Sequence, residues 1–222
     1  MLHDNHLMRF VPLIPCNLEP APWRGFQAVE LAWTGALDPR WAEAGIPVHG
    51  LHLPAGPWDD QLGATVLRLL QPRLELDFLV IPATCPEDRL ERARFLGVLE
   101  GLLEAVQGHR VKLALQPGPA ATPGLARLLK EVHGQAVGYC WNGQTGPELD
   151  CISDRLFCAV GGPGDDYAPL QRLGYRWNLA LAARDPEPFR ALQADLERAY
   201  PTVYFPADLE PAPAPRAPEE HP

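Results

Sequence analysis

Two polar side chains lie inside apolar runs of the sequence. Glu30 stands between Val29 and Leu31 in the run Gln27–Trp33, and His52 stands between Leu51 and Leu53 in the run Val48–Leu53. A carboxylate buried in such a run needs a partner, and an imidazole exchanges protons near neutral pH. As a catalytic pair, Glu30 would serve as general base or hydroxyl acceptor and His52 as proton carrier. The bland alternatives are an ion pair of Glu30 with Lys112 or an arginine, and a hydrogen-bonded core role for His52. Alternation along an extended chain puts Glu30 with Ala28 and Ala32, and His52 with Val48 and Gly50. His49 then falls on the opposite face.

Two amides end further apolar runs. Gln116 closes Val111–Gln116, on the same face as Lys112 and Ala114, and Asn142 closes Ala136–Asn142, with Gly138 and Cys140. Both read as candidate substrate-binding groups, or as satisfied core amides. Trp33, Trp141, Trp177 and Asn178 sit at or near ends of such runs. An indole face suits the apolar face of a sugar, although tryptophan also fills cores. The loop Gly161–Asp166, GGPGDD, offers backbone amides that would suit a phosphate. Its two aspartates oppose an anion, which favours a plain turn and helix cap. Cys158 has no activating neighbour in sequence and reads as a buried thiol.

Eight apolar runs could position these groups: Met8–Ile14, Gln27–Trp33, Val48–Leu53, Leu76–Ile81, Val111–Gln116, Ala136–Asn142, Arg155–Val160 and Tyr175–Ala182. Their composition suits buried strands. Helical periodicity lies between them at Asp59–Leu70, Pro86–Val106, Pro123–Val132 and Pro186–Ala199, with a short segment at Asp38–Ala44. The segments after strands one, six and seven are weak helices. Eight βα units predict a compact α/β fold, a closed (β/α)8 barrel with some short helices, over the rival doubly wound sheet. The barrel is expected over residues 1–205. Residues 206–222, rich in Pro, Ala and Glu, read as a disordered tail.

Composition narrows the function. The chain has 222 residues, 46% of them hydrophobic, with 19 basic and 28 acidic side chains and a net charge of −9. That balance argues against nucleic acid as a partner, whose phosphates need Lys and Arg. No run approaches a membrane span, and no secretory h-region opens the chain. The five cysteines are odd in number and form no CxxC pair, which suits reduced thiols in a cytoplasm. Oligomeric state is not legible.

The order of motifs resembles the xylose isomerase-like barrels of the sugar phosphate isomerase/epimerase superfamily. GFQAVELAW at 25–33 is similar to that family's second strand and VHGLHLP at 48–54 to its third. VKLALQPGP, AVGYCWNGQT, RLFCAVGG and GYRWNLALA resemble the fifth to eighth, and the similarity spans roughly residues 8 to 200. The resemblance implies a site at the C-terminal mouth, where the family holds a divalent metal with Glu, Asp, His and Glu on strands five to eight. Those positions fall here on Gln116, Asn142, Cys158 and about Ala182, with Asp185 or Glu187 as alternatives on strand eight. Hard divalent ions take anionic oxygen ligands, so neither metal nor another cofactor is expected. Three readings stay open: a metal-independent or non-catalytic barrel binding a small polar, sugar-like molecule; an active isomerase or epimerase using Glu30 and His52; and a scaffold without a small-molecule site.

A proline-rich tail buries little surface. Deletion of residues 208–222 is expected to leave the melting temperature unchanged within about 1 °C. A loss of several degrees in a thermal melt would show that the segment packs on the barrel.

Overall fold

The computed structural model describes residues 8–70, 74–132 and 134–201. The expected tail, 206–222, lies outside the described residues. Eight parallel strands close into a barrel in chain order: β1 (Arg9–Pro15), β2 (Val29–Ala32), β3 (Val48–His52), β4 (Phe78–Ala83), β5 (Lys112–Pro117), β6 (Val137–Trp141), β7 (Leu156–Gly161) and β8 (Asn178–Ala182). The ring is shut by β8 pairing with β1, Arg9 against Asn178 through Leu13 against Ala182. The open-sheet rival is excluded by that closure.

Helices α1 (Asp60–Leu70), α2 (Arg89–Gln107), α3 (Thr122–Glu131) and α6 (Pro186–Ala199) follow β3, β4, β5 and β8 in chain order, and α6 packs on β1. Each strand buries one face beneath this layer and turns the other inward, as the two-residue period requires. Leu79, Ile81, Leu113, Leu115, Leu179 and Leu181 belong to the outer core, with Phe95, Leu99 and Leu125 from the helices. The interior is filled by small and medium side chains, Val80, Ala114, Cys140 and Cys158 on one side and Val11, Ala28 and Ala180 on the other.

Three of the differences from the sequence reading have a local reason. The long helix begins at Arg89 rather than Pro86, because the Asp88 carboxylate accepts the amides of Leu90 and Glu91 and so caps it. The segment at 38–44 is a single 3-10 turn, Pro39–Glu43, opened by Asp38 accepting the Arg40 amide. The last strand starts at Asn178, since Tyr175 turns inward and its hydroxyl donates to the Asn178 carbonyl at 2.6 Å. The weak segments are short, a 3-10 turn at Ala21–Trp23, α4 (Pro147–Asp150) and α5 (Ala168–Arg172).

Gly138 shows how tightly the interior is packed. A β-carbon there would lie 2.4 Å from the Arg155 carbonyl oxygen and 2.8 Å from the Phe157 ring. Gly138→Ala is therefore expected to destabilise the barrel by about 2–3 kcal/mol in urea unfolding. Gly97→Ala, on the exposed face of α2 with open space around it, should instead stabilise by about 0.5–1 kcal/mol. Equal effects would mean that the β6–β7 contact is looser than this geometry.

Candidate functional site at the barrel's C-terminal mouth

Glu30 and His52 meet inside the barrel. Glu30 is wholly buried and His52 nearly so, and His52 Nε2 lies 2.5 Å from Glu30 Oε2. The partner of Glu30 is thus neither Lys112 nor an arginine. Two features of the strands make room for the pair. The register of β2 on β3 shifts between Val29 and Glu30, so Glu30 comes opposite Gly50 and Ala32 opposite His52. Gly50 has no side chain, and a β-carbon there would stand 2.9 Å from Glu30 Oε2. The other carboxylate oxygen, Oε1, is buried without a hydrogen-bond partner among the described residues.

Gln116 and Asn142 line a separate cavity of about 370 Å3 at the C-terminal mouth. Trp58 and Thr84 share it, from the loops after β3 and β4, with Gly118 beyond β5. Both amides are half-buried, and neither side chain is hydrogen-bonded to another described residue. Their backbone is fixed by Gln144, buried in the loop after β6. Its Oε1 accepts the Asn142 amide at 2.6 Å, and its Nε2 donates to the Pro117 carbonyl at 3.0 Å. Trp58 is held by its indole N–H, which donates to the Pro82 carbonyl at 2.9 Å, and by stacking on Phe95.

The four groups thus form two levels. His52 pairs with Val80, which pairs with Ala114, and Gln116 lies two residues further along β5. That step is about 6–7 Å along a strand. The acid–base pair sits below the amides and does not line their cavity.

Other sequence candidates lie elsewhere. Trp141 is fully buried in the outer core, where its indole donates to the Gln144 carbonyl and its ring meets the edge of Tyr167. It cannot present a face to a ligand in this arrangement. Asn178 opens β8 and lines a cavity at the barrel's opposite, N-terminal end. Trp33 lies just beyond β2, half-buried against the core and outside the amide cavity. His49 lines the cavity at the N-terminal end and pairs with Asp77, while Val48, expected inward, belongs to the outer core because the β2–β3 register shift breaks the alternation there. In the glycine loop after β7, the Gly162 amide donates to Asp165 at 2.7 Å, so that turn satisfies itself.

Trp58 and Gln144 escaped the sequence reading. The signal for Trp58 was its place in PAGPWDD, a strand-to-helix loop of the kind that builds barrel mouths. Gln144 carried none, since its work depends on β5 and β6 lying side by side.

The residues at the metal positions implied by the resemblance do not fit a hard divalent ion. Gln116 and Asn142 supply neutral amides. The Cys158 thiol is pushed well up by burial and by the adjacent Cys140, so the thiolate is disfavoured. Ala182 supplies nothing, Asp185 caps α6 through the Glu187 amide, and Glu187 pairs with Arg190. Among the described residues, no group of three His, Cys, Asp or Glu side chains is placed to hold an ion.

No protein-family model matches the chain, and no curated protein matches it by sequence. Solved structures do match its fold. A xylose isomerase domain protein from Planctomyces limnophilus superposes with a TM-score of 0.66 at 13% identity, covering 89% of this chain and 99% of that one. A D-tagatose 3-epimerase-like protein gives 0.66 at 12% identity, over 87% and 97%. The D-allulose 3-epimerase from a Methylomonas species, in complex with D-allulose, gives 0.59 at 14%, over 82% and 86%. The fold is that of the xylose isomerase-like barrels.

The pair and its glycine can be tested by stability alone. His52→Leu strands a buried carboxylate and is expected to cost about 3–5 kcal/mol in urea unfolding. Glu30→Gln keeps a hydrogen-bonding group and should cost only about 1–2 kcal/mol. Equal losses would mean that the charge of Glu30 contributes nothing to the pair.

Proposed function

We propose that the C-terminal mouth binds a small polyhydroxylated, sugar-like molecule without the help of a divalent ion. One observation carries the reading: the Gln116 and Asn142 amides face one cavity with no hydrogen-bond partner among the described residues. Each amide has donors and acceptors to offer, which is the mixture that vicinal hydroxyl groups require. Trp58 adds an aromatic surface to the same cavity, and Thr84 adds a hydroxyl. A volume of about 370 Å3 suits a ligand of monosaccharide size. The epimerase neighbours, one of them bound to D-allulose, support sugars as the class to try first.

Catalysis is the second reading, and the unpartnered Glu30 Oε1 favours it. A carboxylate that meets His52 through one oxygen keeps the other, Oε1, free to take a proton. For a carbon acid to reach it, the ligand would have to extend below the amide level or the mouth would have to open. The pair would then move a proton between adjacent carbons, with His52 holding Glu30 in position. Without such access the same pair is structural, and the protein is a binding barrel of isomerase ancestry.

Ligand-observed NMR with D-allulose on protein dialysed against chelator tests the first reading. Saturation transfer is expected in the parent and should weaken by about tenfold in Gln116→Leu and Asn142→Leu, the scale of one hydrogen bond lost. Binding that requires added Mn2+ or Mg2+ would overturn it. Deuterium incorporation into the sugar in D2O, abolished in Glu30→Gln, would establish the second reading. Binding without incorporation would leave a binding protein.

A further inference from the structure

The other end of the barrel carries an excess of positive charge. A cavity of about 520 Å3 opens there, at the beginnings of β1, β4, β5, β7 and β8. Arg9, Arg110, Lys112 and Arg176 line it against a single carboxylate, Asp77, which is paired with His49. All four cations are exposed. In a chain of net charge −9, this mouth is a local reversal of sign, and a concave wall concentrates such a field.

The cavity also has an aromatic side. Trp177, 57% exposed, is the one large aromatic side chain left open among the described residues. Phe157 lies inside, with Lys112 Nζ 5.1 Å from its ring centre and Phe78 beside it. Charge and flat apolar surface together select a ligand that has both. Four cations call for more than one negative charge, and a phosphate monoester carries about −1.5 to −2 near neutral pH. An indole face open to solvent suits a ring stacked upon it.

Arg110 adds a backbone observation. Its φ of 57° makes it the one described non-glycine residue in the left-handed region, where glycine or asparagine would be at ease. Glycine at this position would remove the guanidinium and ease the backbone at once.

We propose that this N-terminal mouth is a second binding site, for a planar aromatic or heterocyclic ring carrying a phosphate. The phosphate is held by Arg9, Arg110, Lys112 and Arg176, and the ring stacks on Trp177. The site is independent of the amide cavity at the opposite end.

Adenosine monophosphate titrated into the full chain by calorimetry at low salt tests it. Binding is expected, with adenosine and inorganic phosphate each at least about tenfold weaker, since each keeps only half of the contacts. Arg176→Gln should weaken it by about tenfold or more, the scale of one charge-assisted bond. Arg110→Gly should lower affinity while leaving the melting temperature unchanged or raised, because it relieves the left-handed backbone. Trp177→Ala, at an exposed position, should bring the nucleotide down to the affinity of phosphate alone. No heat up to millimolar nucleotide, or equal affinity in the Arg variants, would overturn the site. Inorganic phosphate binding as tightly as the nucleotide would overturn the ring-bearing ligand. Binding that falls with Gln116→Leu instead would place the nucleotide at the other mouth and overturn the proposal as well.

Discussion

A carboxylate sealed inside a barrel must be met there, and most of the interior is arranged around that requirement. Glu30 has one partner, His52, on the adjoining strand. To bring them together, β2 slips against β3 just before Glu30, and β3 gives up a side chain at Gly50. Around the pair the interior holds small and medium apolar groups, Ala28, Ala114, Ala180, Val11, Val80 and two cysteines. A larger set would leave no room for the hydrogen-bonded pair in so narrow a barrel. Burial in such surroundings also keeps the Cys158 thiol protonated.

The pair divides the barrel into two ends of different chemistry. Above it, the strand ends and loops present amides, a hydroxyl and an indole, all neutral groups. Below it, strand beginnings present guanidinium and ammonium groups around aromatic rings. The two openings belong to opposite ends of the same strands: β5 carries Lys112 at one and Gln116 at the other, on one face. A single period-two face therefore joins both cavities through the packed middle.

Much of this was legible along the chain. The eight apolar runs fall on the eight strands because a buried parallel strand is continuously apolar, and that pattern needs no partner to be seen. Alternation groups Gln116 with Ala114, Asn142 with Cys140 and His52 with Gly50, but it fails for Val48, which the register shift turns to the outer core. The misses have local causes. Asp88 moved the start of α2, a capping preference stronger than the proline two residues earlier. Trp141 carried an odd-even position on the buried outer face, and its strand-end location misled because burial, not position, decides what an indole can touch. Asn178 was placed at the wrong mouth, since a residue that opens a strand lies at the other end from those that close one.

The sequence by itself determined the fold class, the number of strands and most of the inward faces, because these depend on residue type and periodicity. The tertiary structure decided who meets whom. Glu30 and His52 are 22 residues apart, and their contact depends on a one-residue shift between two strands. Gln144 ties the ends of β5 and β6 through three atoms of its side chain and backbone. The four cations of the lower mouth come from positions 9, 110, 112 and 176 and gather only when β8 closes on β1. Register, closure and the meeting of distant charges are properties of the assembled barrel, since each is fixed by hydrogen-bonded pairing between strands that no local pattern encodes.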